Sequence, residues 1–280
     1  MITPYATLRT KEDLLSNSRG IDCIMDSIVS NTLTCANKCI DPFEDYYIEM
    51  SPNRAPIVGM YVKQRHLYSR IIESSKKGDL CLLLILQRIF YECFIKMKYL
   101  IIHGETAQHE YRLLSYKDRY KFYEQTKDED NIYFKSRNAK FLKNLQDDGF
   151  SLDDLKPIIG KKAFGGKTFR DLVRDLDDDR LYTSLYGILS DPIHSDWGEI
   201  SQVYLCRSSE DDVYVPNLDI QYSPNMRFLV SACDIMIDSS IYYIEWIKDA
   251  VPALDGLLTV YNEMKRVVRL YNSLEWEEYK

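Results

Sequence analysis

Glycine and proline are scarce in this chain, with 11 glycines and 9 prolines among 280 residues. All-β sandwiches and barrels need such turn residues at short, regular intervals, so the scarcity excludes a turn-rich β architecture. Between the few breaks, apolar residues recur at helical spacing. We therefore predict an all-α, multi-helix bundle with long central helices. One small β-hairpin is allowed in residues 213–222, where apolar and polar residues alternate weakly.

Positive charge is also in short supply, since 36 lysines and arginines stand against 43 aspartates and glutamates, for a formal net charge of −7. This balance excludes a protein that coats DNA with a uniformly positive surface, although a local basic patch can still meet RNA. Seven cysteines at irregular positions form no disulfide framework, and the first residues have neither a basic nor an apolar leader region. We expect a reducing compartment, the cytoplasm.

Long apolar runs without charge are lacking: the longest, residues 80–102, contains Arg88, Glu92, Lys96 and Lys98. A charge near the centre of a membrane helix costs roughly 2.5 to 3.5 kcal/mol on insertion scales. We therefore expect a core helix here and no membrane association.

The breaks that do occur divide the chain into three predicted segments. Residues 1–56 form an N-terminal helical segment, residues 57–206 a helical core, and residues 207–280 the hairpin and a C-terminal helix pair that packs on the core. Helix-start signals stand at Thr10 and Thr168. Helical spacing predicts helices over 57–77, 80–103, 106–125, 131–147, 192–206, 225–248 and 253–276.

The segment from Gly160 to Thr168 is rich in glycine and lysine and superficially resembles a phosphate-binding P-loop. That motif has four residues between its first glycine and Gly-Lys-Thr, whereas five stand here and no convincing strand precedes them. We therefore predict a flexible loop that runs into a capped helix. A phosphate binds well at a helix N-terminus, so we assign phosphate binding to the basic residues Lys162, Lys167 and Arg170.

Polar residues on the central apolar helix recur every fourth position, at Arg88, Glu92 and Lys96. This spacing places them on one face. Two interpretations remain open. The stripe is the solvent-facing edge of the helix, since charged side chains are seldom fully buried, or Arg88 and Glu92 point inward as a pair and line a polar cavity.

Three residues near the Asp191-Pro192 break carry groups suited to acid–base chemistry. Tyr186 and Ser190 share a helix face, and His194 lies in the first turn of the next predicted helix. The positive end of the helix dipole favours a neutral imidazole, which can act as a general base. The competing interpretation is a hydrogen-bonded histidine that only holds the helix corner in place.

Two spacings in the chain resemble those of a bacterial family of unknown function, an Arg-x-x-x-Glu on a long apolar helix and a later Tyr-x-x-x-Ser-x-x-x-His. The matching residues are Arg88 with Glu92, then Tyr186, Ser190 and His194, with Gly166, Lys167 and Arg170 similar to the intervening stretch. The resemblance covers roughly residues 60 to 200. That family looks like the HEPN-type helical domains, several of which are RNA-cleaving toxins or defence effectors that act as dimers.

The resemblance implies that residues 57–206 are a HEPN-like core and that the chain is a metal-independent RNA-cleaving effector in bacterial defence, a homodimer that needs neither metal nor cofactor. HEPN nucleases carry an arginine four to six residues before a histidine, and none of the four histidines here has one. His194 as base and Arg88 as phosphate clamp must therefore meet in space, with Glu92, Tyr186 and Ser190 in support. The alternative is a non-catalytic helical module that binds a protein or nucleotide partner.

Overall fold

Helices dominate the computed structural model of the chain, which describes residues 5–42, 50–160, 166–176, 197, 200–207, 213–218 and 226–275. Within these residues the strands form one two-stranded sheet. The predicted all-α bundle with one small hairpin is therefore confirmed. The predicted segment limits at residues 56 and 206 stay a prediction.

The helices follow the apolar periodicity of the sequence closely. They are α1 (Lys11–Leu15), α2 (Ile21–Lys38), α3 (Ala55–Lys76), α4 (Leu80–Leu114), α5 (Lys117–Thr126), α6 (Ile132–Asp147), α7 (Leu152–Leu155), α8 (Phe169–Asp175), α9 (Met226–Ile247) and α10 (Asp255–Glu275). Short 3₁₀ turns stand at Lys156–Ile158 and Pro252–Leu254, and a π-helical turn at Ile200–Tyr204.

Both predicted helix starts are capped as expected. The Thr10 hydroxyl accepts a hydrogen bond from the backbone N–H of Asp13, whose carboxylate accepts one from the Thr10 N–H in return. Thr168 and Asp171 make the same reciprocal pair at the start of α8. Each pair satisfies two backbone donors that have no partner inside the helix.

The central helix α4 is interrupted at Gly104, whose φ of 66° and ψ of −156° are not helical. Only glycine adopts this conformation at low cost. The break falls where sequence analysis ended one helix and began the next. Among the helices that the structure describes, none is both long enough and apolar enough to cross a membrane.

The hairpin pairs β1 (Leu205–Arg207) with β2 (Tyr214–Pro216) in antiparallel register, with Cys206 opposite Val215. A backbone hydrogen bond from the Asn217 N–H to the Tyr204 carbonyl continues the pairing. The first strand occupies the end of the segment predicted as a helix over 192–206. Short runs of bulky apolar residues fit either structure, and only the pairing partner decides between them.

The chain divides into two compact units, unit 1 (Met1–Ile48, Met60–Ile95 and Arg180–Lys280) and unit 2 (Glu49–Gly59 and Lys96–Asp179). In unit 1, α9 packs against α10 and α2. Its core includes the parallel rings of Tyr61 and Tyr243, with centroids 4.0 Å apart. The Tyr61 and Ser240 hydroxyls are hydrogen-bonded at 2.8 Å. The buried Tyr61 hydroxyl therefore has a partner in place of the water that it loses on folding.

Unit 2 has a core of its own, built where α5, α6 and α7 meet. Its buried members are Tyr116, Tyr120, Phe141, Leu145, Phe150, Leu155 and Ile158. The Tyr116 hydroxyl donates to the Asn144 carbonyl at 3.0 Å and also bonds the Asp148 carboxylate. Arg112 lies with its guanidinium carbon 5.0 Å from the centre of the Phe150 ring. The Tyr116 hydrogen bonds tie the start of α5 to the end of α6, and the Arg112 contact ties the end of α4 to Phe150.

Candidate functional site

Half of the eight predicted site residues lie among the residues that the structure describes. Those within the described residues are Arg88, Glu92, Lys167 and Arg170. Those that lie outside the described residues are Lys162, Tyr186, Ser190 and His194.

Arg88 and Glu92 form an ion pair on α4, with the Arg88 Nε 3.5 Å from the Glu92 Oε1. The Arg88 side chain is 12% exposed and that of Glu92 31%. An exposed pair on α3, Arg70 with Glu73, retains 55% and 47% exposure. Arg88 is thus largely shielded from water, and a shielded guanidinium needs the counter-charge that Glu92 supplies.

Lys167, the basic residue that the structure describes ahead of α8, is already engaged within unit 2. The Lys167 ammonium bonds the Asp175 carboxylate, and its Nζ lies 5.4 Å from the centre of the Tyr99 ring. The hydrogen bond to Asp175 raises the pKa of this ammonium, so Lys167 stays charged. Arg170 is exposed. A phosphate held here would compete with Asp175 for Lys167.

Sequence analysis missed a cleft of about 180 Å³ between α5 and α6. It is lined by three cationic side chains, two amides and two aromatic rings, which are Arg119, Arg137, Lys140, Asn138, Asn144, Phe122 and Phe141. No carboxylate is among the residues that line it. Such a lining suits an anion.

The side chains of this cleft are fixed by their neighbours. The guanidinium carbon of Arg137 lies 4.1 Å from the centre of the Phe122 ring, a cation–π contact. The Asn138 amide donates to the Thr126 hydroxyl at 3.1 Å, and Asn138 is only 8% exposed. Two of the lining groups are therefore held in place before any ligand arrives.

A signal for the cleft is present in the sequence of α6. The helix carries four basic residues, Lys135, Arg137, Lys140 and Lys143, and its one acidic residue is Asp147 at the last position. This local excess of positive charge contrasts with the net charge of −7 for the chain. The apolar spacing that predicts a helix over 131–147 carries no information on these charges.

Comparison with models of protein families matches residues 54–212, more than half of the chain, to the family of unknown function DUF5677. The matched region contains α4, the α5–α6 cleft and all of the predicted site residues. No curated protein and no solved structure matches the chain.

Proposed function

The chain belongs to the DUF5677 family of unknown function, and on that premise we propose that it is a HEPN-like protein that cleaves RNA without a metal ion. In this proposal His194 is the general base and Arg88 holds the scissile phosphate. Glu92, Tyr186 and Ser190 support these two. The protein acts as a homodimer in the bacterial cytoplasm, in a defence or toxin system.

The observation that supports this proposal is the shielded ion pair of Arg88 and Glu92 in the mostly apolar first half of α4. Removing a guanidinium from water costs free energy that an apolar residue at the same position would not. Charged groups kept in such surroundings are concentrated at functional sites. The pair also lies inside the region that matches the family.

In the proposed reaction the neutral His194 imidazole accepts the proton of a ribose 2′-hydroxyl, and the 2′ oxygen attacks the neighbouring phosphorus. The bond from phosphorus to the 5′ oxygen breaks, which leaves a 2′,3′-cyclic phosphate. The leaving oxygen takes a proton from the imidazolium formed in the first step. Arg88 stabilises the charge that grows on the phosphate oxygens, while Glu92 orients the guanidinium.

Tyr186 and Ser190 donate hydrogen bonds to the same phosphate in this proposal. Their spacing of four residues places both hydroxyls on one helix face if that segment is helical. Neither group changes its protonation state during the reaction. Loss of either hydroxyl should therefore slow cleavage less than loss of His194.

The test is cleavage of total RNA and of a defined oligonucleotide by the purified chain and by the variants Arg88→Ala and His194→Ala. We expect the removal of Arg88 to lower the rate about 10² to 10³-fold and that of His194 about 10² to 10⁴-fold. EDTA should leave the rate unchanged, and the products should end in a cyclic phosphate.

The matched control is Arg70→Ala, which also removes an arginine from an ion pair with a glutamate but from an exposed position on α3. It should cleave at the wild-type rate. Absence of cleavage by the wild-type chain, or equal rates in all variants, would exclude the proposed site. The competing function, a non-catalytic binding module, would then stand.

A further inference from the structure

We propose that the cleft between α5 and α6 binds a phosphodiester group of single-stranded RNA. The choice of RNA rests on the proposed function, whereas the affinity for a phosphate rests on the cleft itself. The cleft lies entirely within unit 2, and none of its residues belongs to the proposed cleavage site.

The charge of the cleft is the first argument. Arg119, Arg137 and Lys140 line a space without a carboxylate. Among the described residues, no acidic side chain lies within ion-pair distance of these three, although other lysines nearby are paired, as Lys135 is with Asp130. Three cations around a small cleft repel one another, and a bound anion relieves that repulsion.

The size of the cleft is the second argument. Pockets for drug-sized ligands measure about 300 to 1,000 Å³, and this one measures about 180 Å³. The space is therefore smaller than that range and suits one phosphate group. The rest of the ligand must then lie outside the cleft, as it does when a polymer is bound through its backbone.

The fixed position of the Arg137 side chain in the cleft is the third argument. Arginine binds phosphate through two parallel N–H donors, and this geometry is specific when the guanidinium is held in one plane. The Phe122 ring restrains the Arg137 guanidinium, whose carbon lies 4.1 Å from the ring centre. Phe134 packs on Phe122 in a T-shaped contact, with centroids 5.6 Å apart. Less side-chain entropy is therefore lost when a phosphate binds.

The surroundings of the cleft distinguish a single strand from a free phosphate. From Phe122 a row of rings continues through Phe134 to Tyr133, whose centroid is 5.9 Å from that of Phe134. The Tyr133 side chain is 62% exposed. Exposed aromatic rings beside a basic groove are the surface on which unpaired bases stack. A base next to the bound phosphate can use Tyr133 in this way.

The test is the affinity of the full chain for a fluorescent single strand of about 12 nucleotides. The probe is 2′-O-methyl RNA, which lacks the 2′-hydroxyl that cleavage requires, so binding is measured without reaction. We expect the double variant Arg137→Ala, Lys140→Ala to bind at least 10-fold more weakly. The slope of log K against log salt should fall by about one to two.

The matched control is the double variant Lys135→Ala, Lys143→Ala, which removes two positive charges from the same helix outside the cleft. It should lose less than 3-fold. Because Arg137 also packs on Phe122, a second variant, Asn144→Asp, introduces a carboxylate into the cleft without removing that contact, and it should also lose at least 10-fold. Circular dichroism confirms that each variant is folded.

Equal losses in the two double variants would overturn the proposal, and so would displacement of the RNA by inorganic phosphate or a polyglutamate peptide at the concentration of the RNA itself.

Failure of the proposed function gives a different set of results. If the wild-type chain binds the methylated strand but cleaves no RNA, cleavage is excluded and the binding site stands. If cleavage occurs and the cleft variants bind as the wild type does, the phosphate site in the cleft is excluded and the cleavage function stands.

Discussion

Asp234 on α9 is a carboxylic acid whose ionised form is destabilised by burial. Its Oδ1 is buried and has no hydrogen-bond partner among the described residues. Burial and the neighbouring Asp238 raise its pKa to about 6, although Lys265 and Arg269 of α10 act in the opposite direction. Asp238 itself is paired with Lys265. A proton on Asp234 therefore stabilises the folded chain.

This shift predicts how stability depends on pH. Because the pKa of Asp234 is higher in the folded than in the unfolded chain, its contribution is most favourable below about pH 4 and is lost as the pH rises through about 6. At pH 7 the substitution Asp234→Asn should raise the free energy of unfolding by on the order of 1 to 2 kcal/mol. The gain should shrink as the pH falls below 6 and approach zero below about pH 4. Urea unfolding at several pH values measures it, and parallel curves for the two proteins would contradict the prediction.

The residues of the candidate site show how far sequence reasoning reaches at this scale. Glu92 follows Arg88 by four positions, which places both side chains on one face of a helix. The ion pair at 3.5 Å follows from that spacing. The 12% exposure of Arg88 does not follow, because it depends on distant parts of the chain that cover the helix. The role of Arg88 stays a prediction until cleavage is measured.

The helices were predictable wherever an apolar stripe extends over several turns. α6 was predicted over 131–147 and runs over Ile132–Asp147, and α9 was predicted over 225–248 and runs over Met226–Ile247. Sequence analysis erred on the segment 106–125, which is divided between the end of α4 and α5. The cleft lies between α5 and α6, and the pairing of these two helices is seen only in the structure. A pattern within one helix carries no information on such a pairing.

The break in α4 gives a prediction at the level of the helix. Gly104 has a φ of 66°, and a Cβ added there meets no atom within 4 Å. Gly104→Ala should therefore be destabilised only by backbone strain, by about 1 to 2 kcal/mol. Gly59 in α3 also has open space around it but has no such φ. Gly59→Ala should stabilise the chain by about 0.5 to 1 kcal/mol.

Urea unfolding of the two glycine variants beside the wild type tests both signs at once. Both substitutions add one methyl group without a steric contact, so any difference between them reports the backbone. Stabilisation by Gly104→Ala would mean that the helix straightens through this position at no cost.

Over the whole molecule, charge is distributed unevenly. The chain has a net charge of −7, yet α6 has four basic residues against one acidic residue. The net charge alone argued against a protein that coats nucleic acid, and it left open a local basic patch. Composition averages over the chain, whereas binding depends on which charges the fold brings together, as it brings Arg119 to Arg137 and Lys140.

The seven thiols of the chain offer a last test, which concerns the redox state of the entire protein. All seven are free cysteines, of which Cys23 and Cys206 are exposed. Burial raises the pKa of the Cys39 and Cys233 thiols to about 11, and only the thiolate reacts. At pH 8 a thiol reagent should modify two cysteines rapidly in the folded chain and all seven in guanidinium, without added reductant.

The substitutions Cys23→Ser and Cys206→Ser should together remove the rapid phase. A melting temperature lowered by reductant would contradict the prediction, because it would reveal a disulfide. Modification of all seven thiols without reductant would show that a fold held by apolar helices and capped helix ends needs no covalent crosslink.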